Sequence, residues 1–253
     1  MKVQNVFGYY WFGTCVRYLQ DAREGAIVGK VDREEGYLLY NLDMFFESIK
    51  EFDLQVTNRA SWDLWNILEE MKTKDPDTTL TEDEAKALRK AITNTRNTLE
   101  AEIKGLEAYV VTPKRLDVKR LMDDPGSLLA PKVFGKLPSI AQFDLAEAAK
   151  CIAFERPTAA AFHILRATED VLRDFYKTLA RQKRVKLMWG LMVSDLKKRK
   201  KAEKHQVLLA HLDHIRLAFR NPTQHPEATY DIHEVQDLWG GCVEAINRMA
   251  KVL

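Results

Sequence analysis

An arginine and a histidine lie five residues apart in the segment 220–225, which reads Arg-Asn-Pro-Thr-Gln-His. A guanidinium offers a fixed fork of donors and a permanent charge to phosphoryl oxygens as negative charge builds on them. An imidazole titrates near neutral pH, so it can take a proton from an attacking hydroxyl or give one to a leaving oxygen. Because RNA carries a 2′-hydroxyl beside each phosphate, this pair suits phosphodiester cleavage that requires no metal ion.

Pro222 determines how these two side chains are predicted to lie. Proline disfavours the helical conformation of the residue before it, so the sequence predicts that the preceding long helix ends at Asn221. On a continuous helix the side chains of Arg220 and His225 would point about 140° apart. A turn at Pro222 would instead let both side chains face one cleft.

The spacing alone is a weak signal, because two other pairs have similar spacing. Arg156 and His163 span the start of a helix whose apolar stripe is needed for packing, and Arg199 and His205 lie in a charged run. The pair at positions 220 and 225 differs because it separates two long amphipathic helices. We therefore take that pair as the candidate site.

Helices are predicted throughout residues 139–253, which are the last 115 residues of the chain. One helix is expected over 139–155, and the next opens at Pro157, where proline's missing N–H costs nothing. Another lies near 187–196, and the long helix before Asn221 follows. Asp231, with Glu234 three residues later, forms a capping box that opens the last helix. Several helices with short connections are typical of a bundle.

The first part of the chain also has helical periodicity. Asp32 with Glu35 and Thr81 with Glu84 are predicted capping boxes, opening helices that run to about residue 54 and to about Val110. Ser61 is predicted to cap a helix between them. The aromatic cluster in 7–12 is predicted to pack against neighbouring helices rather than to stack on bases.

Proline and glycine divide the chain. Six of them fall in the stretch from Pro113 to Pro138, and proline is incompatible with a helix interior. The predicted organisation is therefore an N-terminal helical module over 1–112, a connector over 113–138 and a helical bundle over 139–253.

The context of the Arg/His pair resembles the HEPN superfamily. In that family an arginine, often followed by a polar residue such as asparagine, precedes a histidine by four to six intervening residues between the last two long helices of a bundle. The helix 159–172, with its small residues and its Arg166-x-x-Glu169 pattern, is also similar to the first long helix of HEPN domains. The resemblance covers about 139–253, and residues 1–112 match nothing in it.

The predicted fold is all-α: the helical periodicity predicts an N-terminal long-helix module, and the resemblance implies that a HEPN-like bundle follows it. The resemblance also implies a metal-independent endoribonuclease, working as a homodimer in a toxin–antitoxin or antiviral defence system, with RNA and an antitoxin or defence protein as partners. The implied catalytic residues are Arg220 and His225, with Asn221 as a positioning residue. Glu169 is a further candidate that orients Arg220.

Charge is distributed unevenly along the chain, although the net charge is only +2. Residues 1–110 hold 14 Lys and Arg against 20 Asp and Glu, and the remainder holds 25 against 17. Such a local basic excess attracts phosphate, although a solvated helix face is the alternative interpretation. The candidate RNA-binding residues are Lys177, Arg181, Lys183, Arg184, Lys186, Lys197, Lys198, Arg199, Lys200, Lys201 and Lys204.

Other functional classes are not indicated. The three cysteines are scattered, and His205, His211 and His214 have no third ligand at a convincing spacing, so we expect neither metal nor cofactor. Without a signal peptide or a long apolar span, a cytoplasmic protein that does not contact membrane is expected.

Two alternatives to catalysis stay open from the residues. In the first, Arg220 is a C-terminal basic residue that satisfies the last carbonyls of its helix, and His225 is an ordinary loop residue. In the second, the protein is a non-catalytic module that binds RNA or nucleotides or assembles with a partner, docked through its acidic, aromatic-rich N-terminal half.

Overall fold

The computed structural model describes residues 5–29, 37–107, 109–180, 187–225 and 228–253. Within these ranges the backbone forms helices, turns and loops, and its β-type pairing is an isolated antiparallel bridge between Ile27 and Thr79. This confirms the predicted all-α fold. The helices divide into two compact units, residues 1–109 and residues 110–253. No helix in the described ranges is long and apolar enough to cross a membrane.

The N-terminal unit consists of helices that bury their apolar stripes on one another. They are α1 (Val6–Gln20), α2 (Leu38–Glu51), α3 (Gln55–Ala60), α4 (Trp62–Lys72) and α5 (Glu82–Ile103). Phe12 is buried, and its ring centroid lies 5.5 Å from that of Phe45 and 5.8 Å from that of Phe52. The other side of α1 leaves Phe7 and Tyr10 exposed, so the aromatic cluster packs in part.

The predicted ends of these helices have mixed outcomes. The capping box of Thr81 and Glu84 is confirmed at the start of α5. Ser61 precedes α4 but does not cap it, because its hydroxyl donates to the carbonyl of Asn58 instead. Helix α5 ends at Ile103, short of the predicted end, where Gly105 favours a tight turn. The predicted capping box at 32 and 35 lies outside the described residues.

The C-terminal unit is a bundle around one core. Its α-helices are α6 (Val118–Asp123), α7 (Ser139–Ala153), α8 (Pro157–Ala180), α9 (Trp189–Lys197), α10 (Gln206–Ile215), α11 (Asn221–Thr223) and α12 (Ile232–Met249). Short 3-10 segments cover Pro125–Leu128, Phe134–Lys136 and Lys200–His205, and a π-helical turn covers Arg216–Arg220. Pro157 opens α8, and the capping box of Asp231 and Glu234 opens α12, as predicted.

Small residues and a few large ones fill this core. Helices α7 and α8 contact each other through fully buried alanines, including Ala148, Ala149, Ala160 and Ala161, which let the two backbones approach closely. Trp189 is buried at the start of α9, and its Nε1 donates to the carbonyl of Leu212 at 3.0 Å. This buried hydrogen bond fixes α9 against α10.

The segment 113–138, predicted as a connector, lies within the C-terminal unit. Its residues Leu121, Leu129 and Leu137 are buried in the core of that unit. The backbone N–H of Ala130 donates to Asn247 Oδ1 at 3.0 Å, which ties the segment to α12. Proline and glycine here produce short helical turns that pack on the bundle.

The prediction that Pro222 ends the helix at Asn221 is wrong. Asn221 has φ −67° and ψ −49°, which is helical, and the helix continues through Pro222 to Thr223. The turn Arg216–Arg220 widens to a π-helix, with the N–H of Asn221 donating to the carbonyl of Arg216. A widened turn accommodates a proline ring that would otherwise clash with the carbonyl four residues earlier. The Thr223 hydroxyl donates to the Phe219 carbonyl at 2.6 Å, which gives this carbonyl a hydrogen-bond partner close to Pro222.

Candidate active site

Arg220 lies at the end of the π-helical turn and reaches across to α8. Its Nη2 and Nε atoms lie 3.2 and 3.4 Å from Glu169 Oε2. The side chain of Glu169 is 13% exposed and that of Arg220 is 32% exposed. The structure therefore brings together two of the candidate residues from distant parts of the chain.

Glu169 also binds a second guanidinium. Arg173, one turn further along α8, places its Nη2 3.3 Å from Glu169 Oε1. A single carboxylate thus holds two arginines, one on each oxygen. Because a guanidinium has five N–H donors, both arginines retain donors that can bind an anion.

A cavity of about 360 Å³ lies over these groups, and we call it the Arg220 cavity. Its walls are one face of α8 and the segment from the end of the π-helical turn to Gln224. The lining residues are Phe162, His163, Leu165, Arg166, Glu169, Arg173, Arg220, Thr223 and Gln224. They include three arginines against a single carboxylate, and this balance favours an anionic ligand.

A second hollow, of about 520 Å³, lies where the start of α7 meets the same face of α8. Its lining residues are Ser139, Ile140, Phe143, Arg166, Glu169, Asp170 and Arg173. It shares Arg166, Glu169 and Arg173 with the Arg220 cavity, because three- and four-residue spacing places these side chains on one helix face. Ile140 and Phe143 are exposed and give the hollow an apolar wall.

Asp170 lies in this hollow with an incomplete set of partners. Its Oδ2 atom is buried and has no hydrogen-bond partner within the described ranges. Burial and the charge of Asp174 raise the pKa of Asp170, although the backbone N–H of Ala141 and the neighbouring cations offset part of this effect. The carboxylate is therefore poorly solvated for a group at a cavity wall.

Asp144, on α7, forms the most buried polar network of the site. Its side chain is 0% exposed and accepts hydrogen bonds from Nε and Nη2 of Arg166, with a distance of 2.5 Å from Nε to Oδ2. His163 Nδ1 lies 2.9 Å from Asp144 Oδ1, and the His163 side chain is 27% exposed. Hydrogen bonding to Asp144 raises the pKa of Arg166, so the guanidinium keeps its positive charge. Asp144 thereby holds two side chains that line the Arg220 cavity.

The other two residues of the predicted site lie differently. His225 is exposed and follows α11, where its backbone N–H donates to the Pro222 carbonyl at 2.8 Å. It is next to Gln224, which lines the Arg220 cavity, but it is not itself among the lining residues. Asn221 is a half-buried helical residue that also does not line the cavity.

The candidate RNA-binding residues have several environments. Lys177, Lys197 and Arg199 form ion pairs with Asp174, Asp213 and Asp195 at 2.6–2.7 Å. Lys198, Lys200, Lys201 and Lys204 are exposed near the 3-10 segment Lys200–His205. Arg181, Lys183, Arg184 and Lys186 lie outside the described residues.

Sequence reasoning missed His163, Asp144 and Arg173 as components of one site. Arg173 had a readable signal, because its spacing from Arg166 and Glu169 places all three on the polar face of α8. Asp144 had none, since an aspartate in an amphipathic helix is ordinarily exposed. The partnership of His163 and Asp144 depends on the contact between α7 and α8, which no local pattern reveals.

Outside the candidate site, the described histidines and cysteines include His205, His211 and Cys242, which make structural contacts or are buried. His211 Nε2 lies 2.9 Å from the Gly241 carbonyl, and the His205 ring contacts Phe175 edge-on. Burial raises the pKa of the Cys242 thiol to about 12. Within the part of the chain that is described, no group of three or more His, Cys, Asp or Glu residues is arranged to hold a metal ion.

Comparisons with protein-family models, with curated proteins and with solved structures find no match to this chain.

Proposed function

We propose that the protein is a metal-independent endoribonuclease of the HEPN type and that the Arg220 cavity is its active site. The observation that carries this proposal is the pairing of Arg220 with Glu169 at a cavity also lined by Arg166, Arg173 and His163. These groups supply charge for a phosphate and an imidazole for proton transfer in one place.

The reaction that suits these groups is attack by a ribose 2′-oxygen on the adjacent phosphorus. The P–O5′ bond breaks, and the products are a 2′,3′-cyclic phosphate end and a 5′-hydroxyl end. Negative charge builds on the non-bridging oxygens in the transition state, and the Arg220 guanidinium donates to them there. Losing one such donor typically reduces kcat by about 10²- to 10³-fold.

Glu169 acts in this proposal as a positioning residue for Arg220. Its carboxylate is mostly buried and holds Nε and Nη2 of Arg220, so the guanidinium stays directed into the cavity rather than extending into solvent. Contacts of this kind fix reacting groups in the geometry that the reaction needs. Arg220 keeps an unshared Nη1 group for substrate, because the contacts to Glu169 use its other two nitrogens.

The basic segment Lys177–Lys204 would hold the RNA backbone beyond the reacting phosphate. Arg199 Nη1 reaches the Ala180 carbonyl at 3.5 Å, which places this segment near the C-terminal end of α8. Ala180 lies eleven positions after Glu169 on α8, which corresponds to about 16 Å along the helix. The exposed lysines, Lys198, Lys200, Lys201 and Lys204, are the ones that can neutralise phosphates there.

We further propose, from the family resemblance, that the protein works as a homodimer in a toxin or antiviral defence system with an antitoxin or defence protein as partner. In such a dimer His225 of each chain would face the equivalent site of the other. His225 is exposed, so it is accessible to a second chain.

A non-catalytic module that binds RNA or nucleotides, or assembles with a partner, is the second candidate function. One observation favours it: Glu169 already neutralises part of the charge of both Arg173 and Arg220. In that case the Arg220 cavity would bind phosphate, and RNA would remain intact.

The test is cleavage of a mixed-sequence RNA by purified protein in excess EDTA. We expect wild-type cleavage and a loss of at least about 100-fold in rate for Arg220→Ala. Arg216→Ala is the matched control, because Arg216 lies in the same π-helical turn and is ion-paired to Asp213, yet it does not line the cavity. Binding without cleavage would support the second function, and equal cleavage by wild type and Arg220→Ala would contradict the proposed site.

A further inference from the structure

We infer that His163, oriented by the buried carboxylate of Asp144, is the general base of the Arg220 cavity. This inference rests on the proposed ribonuclease function and assigns the proton transfer of that reaction to a residue outside the 220–225 segment.

The environment of His163 determines which ring nitrogen reacts. Asp144 is fully buried and makes a two-point contact with the permanently charged guanidinium of Arg166. A carboxylate anion only accepts hydrogen bonds, so Nδ1 of His163 carries the proton and donates across the 2.9 Å contact. In the neutral ring Nε2 is then the lone-pair nitrogen, which is the form that a general base requires.

The location of His163 makes that nitrogen useful. The residue lines the Arg220 cavity together with Arg220, Glu169 and Gln224, and 27% of its side chain is exposed. It is thus accessible to a ligand but fixed in orientation from behind. Asp144 also stabilises the imidazolium that forms after proton uptake, because its carboxylate stays in contact with the protonated Nδ1.

His225 has no comparable support among the described residues. It is exposed, and the hydrogen bonds it makes within the described ranges are backbone ones: its N–H donates to the Pro222 carbonyl and its carbonyl accepts from the Ala228 N–H. The fixed tautomer of His163 suits the base, and His225 is therefore assigned as the acid of the same reaction.

His163 Nε2 takes the proton of the 2′-hydroxyl, and the 2′-oxygen forms a bond to phosphorus. The P–O5′ bond breaks, and the 5′-oxygen takes a proton from the acid, which in the proposed dimer is the His225 imidazolium of the second chain. Each histidine then exchanges its proton with solvent, so the enzyme returns to its starting state.

The first experiment measures RNA cleavage in EDTA by wild type, Arg220→Ala, His163→Gln and His233→Gln. His233 is an exposed histidine in the first turn of α12 and serves as the matched control. We expect His163→Gln to lose about 10²- to 10⁴-fold in kcat with RNA affinity unchanged within threefold, and His233→Gln to match wild type. If His163→Gln cleaves RNA near the wild-type rate while Arg220→Ala is inactive, this inference alone is overturned. If wild type does not cleave RNA, the proposed function is overturned as well.

A second experiment separates a basic from a structural role. His163→Asn is made alongside His163→Gln. Added imidazole should raise the cleavage rate at least tenfold in His163→Asn, whose shorter side chain leaves more space for it. The leaving group of an aryl ester of a nucleoside 3′-phosphate needs no proton. Both variants should therefore cleave this ester as slowly, relative to wild type, as they cleave RNA. Full recovery on the aryl ester, or no rescue by imidazole in either variant, would contradict the base assignment.

The dependence of rate on pH gives a further readout. The charged groups that face His163 come from two directions: Asp144 on α7, and Arg166, Glu169, Arg173 and Arg220 around the cavity. A general base acts in its unprotonated form, so wild-type kcat/KM should rise with pH, and this rising limb should be absent in His163→Gln. A rising limb unchanged in the variant would assign the base to another residue.

Discussion

Replacing Asp144 with asparagine removes a fully buried carboxylate and weakens the hydrogen bonding of this position to Arg166 and His163. Breaking a buried ion pair typically costs about 3 to 5 kcal/mol. The Arg166 side chain is 60% exposed, so its guanidinium can turn toward water, and asparagine still accepts one hydrogen bond. We therefore expect the free energy of local unfolding of α7 and α8 to fall by about 2 to 3 kcal/mol.

Hydrogen exchange measured by mass spectrometry resolves this loss by region. A decrease of that size corresponds to about 30- to 150-fold faster exchange of the slowest amides in α7 and α8. Peptides from α5 should change by less than threefold, because the cores of the two units share none of the residues described. Asp174→Asn is the matched control, since Asp174 lies on α8 in an exposed pair with Lys177 and should change exchange little.

Two results would refute this reasoning. Exchange in α7 and α8 that is no faster in Asp144→Asn than in Asp174→Asn would mean that the buried network does not hold these helices together. Equal acceleration in α5 would mean that the effect is global rather than local to the network.

Two further predictions concern the dependence of stability on pH. Burial, with a contribution from Lys204, lowers the pKa of His205, so the unfolded chain binds a proton that the folded chain does not. The free energy of unfolding should therefore fall as the pH drops below about 6.5, and His205→Gln should flatten that fall in urea titrations. Burial alone would raise the pKa of Glu102, but hydrogen bonds from Thr57 and from the Val56 backbone outweigh it and lower the pKa. Glu102→Gln should thus lower the thermal midpoint at pH 7, and the difference should shrink as the pH falls below about 4.3; a constant difference would contradict the assigned charge.

The elements of the fold were readable because their signals are local. The capping boxes at Thr81 and Asp231 and the proline that opens α8 each place a helix start within a residue or two. These signals work because the unpaired N–H groups of a first turn are satisfied by side chains only a few residues away.

Pro222 shows where a local rule fails. The rule disfavours a helical residue before proline. Here, however, the turn before Pro222 widens to a π-helix, and the Phe219 carbonyl accepts hydrogen bonds from the hydroxyls of Thr223 and Tyr230. The energy of those contacts depends on Tyr230, which approaches only after the chain has folded. A helix that continues through Pro222 therefore could not be read from the segment itself.

The candidate site was predictable in part for the same reason. Arg220 and Glu169 were singled out by their spacing and by resemblance, and the structure places them in contact. His163 was predicted only as part of a helix needed for packing, because its contact with Asp144 depends on the approach of α7 to α8. Sites built from facing helices are generally hidden in this way, because each contributing helix shows only one or two of the residues.

The most direct test of the proposed function uses one RNA strand and its counterpart with 2′-deoxyribose at the cleaved position, both incubated with protein in EDTA. We expect wild type to cleave only the all-ribose strand and to leave a 2′,3′-cyclic phosphate, and we expect Arg220→Ala to leave both strands intact. Cleavage of the deoxy-substituted strand, or the same products from Arg220→Ala at the wild-type rate, would contradict the role given to Arg220 and its cavity.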